Sequence, residues 1–254
     1  MPKIIVDGLK THYEEYGEGK PLVLIHGAQG TVEGFDGMIK ILRNKYRVIT
    51  PSLPGRSGSE SMSGEVTMKR YSDHIARLLP KINVKNAIVG GSSMGGLVSL
   101  SFCFDHPEMT SALVLIDSPA KIQIDEKIVN LFVDDYEGTT RLAASLGYSK
   151  NTPKDVVEAA LRYNLKVPVE TTLKDLRATG RYDPISRLAE IRVPTLIIRG
   201  SEDILTPKPM SDILNNRIKG STIKIIKGAG HSSIVEKPME VSEAIMQFLR
   251  KQSI

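Results

Sequence analysis

The stretch Gly91-Ser92-Ser93-Met94-Gly95 sets a serine between two glycines at the spacing of a nucleophile elbow. An apolar run, Ala87-Ile88-Val89, precedes it. An apolar helical pattern through Leu97, Val98, Leu100, Phe102 and Phe104 follows. A serine at such a sharp strand-to-helix turn lifts its hydroxyl above a sheet, in backbone geometry that is commonly strained. Glycines two residues either side let neighbouring backbone pass where a Cβ would obstruct it. The new helix also aims free N–H groups at whatever approaches the hydroxyl. Glycine- and serine-rich text alone makes ordinary turns. The strand before and the helix after lift this stretch above that reading.

A serine hydroxyl is barely ionised near neutrality, so it needs a base within hydrogen-bond reach. His231 is the candidate, because imidazole titrates in the working range and Gly228-Ala229-Gly230 places it just past an apolar run. The histidine in turn needs a carboxylate to fix its tautomer and stabilise the imidazolium. Asp203 is the candidate, in a loop shaped by Pro207. Asp117 also follows an apolar run and is a rival for the same role, whereas the adjacent Glu202 is expected to point elsewhere. An oxyanion hole needs two N–H donors. Met94 supplies one from the elbow, and Ala28, in the tight turn His26-Gly27-Ala28, is the expected second. His26 is expected to support that turn rather than act as a base. His12, His74 and His106 are expected to be structural or solvated.

Apolar runs at 21–25, 46–49, 87–89, 112–116, 194–198 and 222–226 read as strands, and a hairpin is predicted at Asp7-Gly8. Helical periodicity lies between them: residues 35–42, 67–82 (Tyr71, Ile75, Leu78, Leu79, Ile82), 210–218, and a last helix with Val241, Ala244, Ile245, Phe248 and Leu249 on one stripe. Strands alternating with helices predict an α/β fold, a mostly parallel eight-stranded sheet with helices on both faces. Residues 120–188 lack a comparable strand. They carry helical stripes instead (Ile128, Leu131, Phe132; then Val156, Val157, Ala160, Leu161, Leu165), the second opened by Thr152 as N-cap and Pro153 in the first turn. The expected division is a core of residues 1–119 and 189–254 with a helical cap at 120–188. In open α/β sheets ligands bind at the carboxyl ends of strands. His26, Ser93, Asp203 and His231 all follow such ends, and that coincidence weighs more than any one motif.

The 254 residues are 41% hydrophobic and 25% charged, a soluble globular balance. The net charge of +5 is dispersed among acids, so no nucleic-acid face is expected. Cys103, the single cysteine, sits between Phe102 and Phe104 and reads as a buried, inert thiol. No metal-ligand spacing occurs. The first apolar run is too short for a signal peptide. Residues 86–104 lack charge, but Gly-Gly interruptions argue for a strand, turn and buried helix over a membrane span. A cytoplasmic monomer or homodimer that binds neither membrane nor nucleic acid is the expectation.

Taken together, His26-Gly27, Leu53-Pro54-Gly55-Arg56-Ser57-Gly58, the Ser93 elbow, Gly200-Ser201-Glu202-Asp203 and Gly228-Ala229-Gly230-His231 resemble the α/β-hydrolase fold superfamily, its cap-bearing serine carboxylesterases above all. The order Ser, Asp, His is that superfamily's, and the resemblance spans essentially the whole chain. Two departures stand out: many relatives carry an acid where this chain has Ser52, and a histidine where it has Ser92. Neither position is needed for the triad. The resemblance implies a serine carboxylesterase acting on small to medium apolar esters without metal or organic cofactor. Its rivals are a lactonase, a carbon–carbon bond hydrolase, a thioesterase, an aminopeptidase using Asp134, Asp135 and Glu137 for a free amine, or a non-enzymatic ligand sensor. A serine nucleophile in place of aspartate disfavours haloalkane dehalogenase and epoxide hydrolase chemistry.

Overall fold

A computed structural model describes residues 3–56 and 58–254. Met1, Pro2 and Ser57, the last inside the 53–58 stretch, lie outside the described residues. The strands are β1 (Lys3–Val6), β2 (Leu9–Tyr16), β3 (Lys20–Ile25), β4 (Tyr46–Pro51), β5 (Ala87–Ser92), β6 (Thr110–Ile116), β7 (Thr195–Gly200) and β8 (Thr222–Ile226). The helices are α1 (Asp36–Leu42), α2 (Met68–Lys81), α3 (Met94–Asp105), α4 (Glu126–Asp134), α5 (Tyr136–Gly147), α6 (Lys154–Asn164), α7 (Val169–Arg181), α8 (Lys208–Arg217), α9 (Ser233–Glu236) and α10 (Pro238–Lys251).

One eight-stranded sheet runs in the order β1-β2-β4-β3-β5-β6-β7-β8. The β1–β2 and β2–β4 pairings are antiparallel; the rest are parallel. The predicted hairpin is present, with Val6 opposite Leu9 and both Asp7 and Gly8 at positive φ, as a type I′ turn demands. The period-2 geometry of a strand divides the central side chains between two cores. Val23, Ile25, Val89, Leu113, Leu115 and Ile197 pack with α2, α3 and α8. Leu22, Leu24, Ile88, Val114, Leu196 and Ile198 pack with α1 and α10. Both faces are dry, which explains why these strands read as unbroken apolar runs. Residues 86–104 divide into β5 and α3 as expected, and among the described residues no helix is long and apolar enough to cross a membrane.

Helices α4–α7 occupy the chain between β6 and β7. Two local expectations need correction here. On α4, Val129 and Phe132 are buried, while Ile128 and Leu131 are 46% and 48% exposed. That helix packs chiefly against α5 and α7, so its inward face is narrow. Thr152 does not cap α6; Pro153 holds that position, and the Thr152 hydroxyl donates instead to Glu236 Oε2 at 2.5 Å. As an N-cap the hydroxyl would have accepted from a backbone N–H; here it donates to a carboxylate instead, a charge-assisted bond. Cys103 is buried among Phe102 and its neighbours, and burial pushes its thiol up to about 11.

Candidate active site

Ser93 sits between the end of β5 and the start of α3 at φ 56°, ψ −121°. That left-handed backbone in a non-glycine residue costs about 1–3 kcal/mol, which the surroundings must over-determine. They do so through hydrogen bonds: Ser93 N donates to Ile116 O at 2.9 Å, and Ser93 O accepts from Gly96 N at 2.9 Å and Ser118 Oγ at 3.1 Å. The flanking glycines are there because backbone crowds them. A Cβ on Gly91 would strike the Gly95 carbonyl, and one on Gly95 would strike the carbonyls of Ile25 and His26. The Ile25 carbonyl belongs to β3 and the Gly95 carbonyl to the first turn of α3, so neither can give way without disturbing a packed element. Gly95→Ala is therefore expected to destabilise the fold by about 3 kcal/mol or more, read by urea denaturation. A melting midpoint within error of wild type would contradict this crowding.

His231 and Asp203, 138 and 110 residues on from the serine in sequence, meet it in space. His231 Nε2 lies 2.8 Å from Ser93 Oγ, and His231 Nδ1 lies 3.0 Å from Asp203 Oδ2. In this chain of bonds Ser93 Oγ–H donates to Nε2, and Nδ1–H donates to the carboxylate. Asp203 is itself pinned: Oδ1 accepts from Leu205 N at 2.9 Å and Thr206 N at 2.8 Å, and Oδ2 from Thr206 Oγ1 at 2.5 Å. Burial works to raise the Asp203 carboxyl, but the hydrogen bond and charge of His231 and the Thr206 donors outweigh it, so the carboxyl lies below its ordinary range. Burial likewise works to lower the His231 imidazole. The hydrogen bond and charge of Asp203, with the charges of Asp117 and Glu236, overcome it and leave the imidazole above its ordinary value.

Asp117, the rival acid, is occupied elsewhere. Its Oδ1 accepts from Gly200 N at 2.9 Å, and its Oδ2 from Ser233 N at 3.0 Å and Ser233 Oγ at 2.6 Å. It ties the end of β7 to the start of α9, and burial pushes its carboxyl up to about 7. Glu202 points away from the histidine, accepting from Ser149 Oγ at 2.6 Å.

The turn after β3 runs against the serine: a Cβ on Gly27 would lie 3.1 Å from Ser93 Cβ. His26 holds this turn. Its Nε2 accepts from Leu53 N at 3.1 Å, so its Nδ1–H donates to Gly27 O at 3.0 Å, and Gly30 N donates to the same carbonyl at 3.0 Å. Burial, aided by the Arg56 charge, pulls His26 down to about 3, so it stays neutral. Because a peptide unit is planar and trans, fixing Gly27 O within the turn sends the Ala28 N–H the opposite way. Met94 opens α3, in the first turn where N–H groups have no helical acceptor.

Two cavities meet at Ser93 and His231. The larger, about 340 Å³, is walled by Met94, Ile124, Phe132, Leu161, Leu176 and Leu205, and the smaller is about 130 Å³. Among the described residues no Asp, Glu, Lys or Arg lines either one. Asp134, Asp135 and Glu137 face solvent; Asp135 caps α5 through Gly138 N, and Glu137 pairs with Arg141. Neither cavity thus offers a carboxylate for a free amine.

Several supporting contacts left no local mark in the sequence. Arg56 and Asp175 form an ion pair with both side chains wholly buried, and Tyr71 Oη donates to Asp175 at 2.7 Å, tying Arg56 and α2 to α7. Glu236 accepts from Gly230 N at 2.9 Å and Ser149 N at 2.8 Å, and His231 N donates to Gly147 O at 2.6 Å. These bonds fasten the α5–α6 connection beside His231. Only Thr206 had a readable signal, since a threonine three residues after an aspartate suits a side-chain-closed turn.

Residues 22–244 match the sequence pattern of the Alpha/beta hydrolase family. The chain is similar to the 2-hydroxy-6-oxo-6-(2'-aminophenyl)hexa-2,4-dienoic acid hydrolase of Metapseudomonas resinovorans, 28% identical over 97% of this chain and 89% of that protein. It is also similar to the pimeloyl-[acyl-carrier protein] methyl ester esterase of Aeromonas hydrophila subsp. hydrophila, 27% identical over 93% of this chain and 98% of that protein. The solved thermophilic esterase of Thermogutta terrifontis shares the fold, with a TM-score of 0.92 at 24% identity over 99% of each chain.

Proposed function

We propose that this chain, which belongs to the alpha/beta hydrolase family, is a serine carboxylesterase for small to medium uncharged esters. The observation that carries the reading is the unbroken relay from Ser93 Oγ through His231 to Asp203, at 2.8 Å and 3.0 Å, beneath a chamber without charged walls. Ser93 Oγ attacks the ester carbonyl while His231 Nε2 takes its proton. Asp203 stabilises the imidazolium that forms. The tetrahedral oxyanion accepts hydrogen bonds from Ala28 N–H and Met94 N–H, preorganised donors whose loss typically costs about 10²–10³ in kcat. His231 then protonates the leaving alkoxide, and a water molecule, deprotonated by the same histidine, releases the acid. Helices α4–α7 act as the cap over this site. The steps need neither metal nor organic cofactor.

The uncharged chamber argues against substrates that carry a carboxylate or ammonium into it, since burying an unpaired charge is costly. That weighs against the aminopeptidase and the dienoic-acid hydrolase as models for this chain's substrate. A lactone, neutral and cleaved by the same steps, is the closest competitor. On p-nitrophenyl esters kcat/KM is expected to rise from acetate to butyrate or hexanoate and fall for longer acyl groups. It should drop at least roughly a hundred-fold for a hemisuccinate of matched length. Flat activity across chain length, or a preference for the charged ester, would defeat the reading. Fewer than about one turnover per minute on every ester, thioester and lactone tried would point to a ligand sensor instead, given enzyme medians near 10 per second.

A further inference from the structure

Gln29 follows the Ala28 donor and holds a left-handed backbone, φ 56°, without being glycine. Its conformation therefore has to be imposed from outside. The structure contains two bonds that do so, both from the helical insertion. Asn164 Nδ2, at the end of α6, donates to Gln29 O at 2.8 Å. The Gln29 side chain reaches α5, where its Nε2 donates to Thr140 Oγ1 at 2.8 Å. Thr140 is buried at 3% exposure. Gln29, Thr140 and Asn164 all line the larger, mainly apolar cavity. A polar group in such a wall either meets the substrate or serves the protein, and the Asn164 and Gln29 amide N–H₂ groups are both turned to protein acceptors.

We infer that Thr140 and Asn164 are positioning residues, clamping Gln29 so that the neighbouring Ala28 N–H stays aimed at the oxyanion. The inference rests on the esterase reading above for the identity of that donor. The Gly27–Ala28 peptide is held from one side by His26 and Gly30 N, and the clamp holds the next residue from the other. Loosening it lets that peptide rotate and removes a donor at the moment charge develops, while the large apolar side chains of the wall (Ile124, Phe132, Leu161, Leu176 and Leu205) stay in place. The insertion is thus a structural part of the catalytic turn as well as a cover over it.

The test compares Asn164→Leu and Thr140→Val, each near-isosteric and each deleting one bond, with Thr140→Ser, which keeps the acceptor. On p-nitrophenyl butyrate the two deletions are expected to lower kcat roughly ten-fold or more at nearly constant KM, with Thr140→Ser close to wild type. A matched pair of inhibitors reads the hole itself. Affinity for an alkyl trifluoromethyl ketone, which forms an oxyanion adduct with Ser93, should fall in proportion to kcat. Affinity for the parent methyl ketone should stay constant. A raised KM with unchanged kcat, equal weakening of both ketones, or no effect of either deletion would overturn the clamp. Should the wild-type chain turn over no ester, the esterase reading falls by itself. Labelling by a fluorophosphonate, whose phosphoryl (P=O) oxygen needs the same donors as the serine displaces fluoride, would still have to slow in Asn164→Leu if the clamp is real.

Discussion

Ser93→Ala is expected to lower kcat on p-nitrophenyl butyrate by about four to six orders of magnitude, leaving only what binding and the oxyanion donors supply. The size follows from the relay. Ser93 Oγ is the one hydroxyl 2.8 Å from His231 Nε2, and without it the imidazole has no nucleophile to activate. His231→Ala should cost about as much, and the double variant little more than either single one, because the residues act as a unit. Stability should behave differently. Alanine inherits the backbone strain at φ 56°, so its melting temperature should match wild type. Ser93→Gly relieves that strain and should melt about 2 °C higher while remaining inactive. Residual turnover above a hundredth of wild type in Ser93→Ala would mean the hydrolysis runs through another group.

Asp203→Asn should lower kcat by about 10³–10⁴ with little change in KM. An amide at this position presents no second charge to the imidazolium, and its N–H₂ group can force the wrong histidine tautomer. The pH profile carries an independent signature. His231 must be neutral to accept the serine proton, so kcat/KM rises with pH through the imidazole's pKa. Burial lowers that pKa, and the bond and charge of Asp203 are the largest influences raising it. Their removal should therefore move the acid limb of the profile to lower pH. Asp117→Asn should do something else. Its carboxylate takes three hydrogen bonds from Gly200 and Ser233, so the variant should lose about 1–3 kcal/mol of stability with a much smaller loss of kcat. If Asp117→Asn inactivates and Asp203→Asn does not, the acid has been assigned to the wrong residue.

The contrast between these two aspartates shows where sequence reading stops. Both follow apolar strands and both precede the histidine, so position along the chain could not separate them. Three dimensions separate them at once, because Asp117 spends every oxygen on backbone and on Ser233 while Asp203 keeps one facing His231 Nδ1. Thr152 teaches the same lesson. A threonine before a proline and a helical stripe is a sound N-cap signal, yet Glu236 arrives from 84 residues away and takes the hydroxyl.

Local chemistry determined a good deal from sequence alone. Period-2 and period-3.6 hydrophobicity, the Asp7-Gly8 turn and the glycines around Ser93 are short-range consequences of sterics and of one-sided or two-sided burial. They specify strands, helices, the sheet and the elbow with no distant residue consulted. Tertiary structure decided the rest: the different contacts of Asp203 and Asp117, the buried Arg56–Asp175 pair, the neutral state of His26, the uncharged chamber and the Thr140–Gln29–Asn164 contacts. Each is a meeting of groups far apart on the chain, whose energy depends on distances and desolvation that exist only once the chain has closed upon itself.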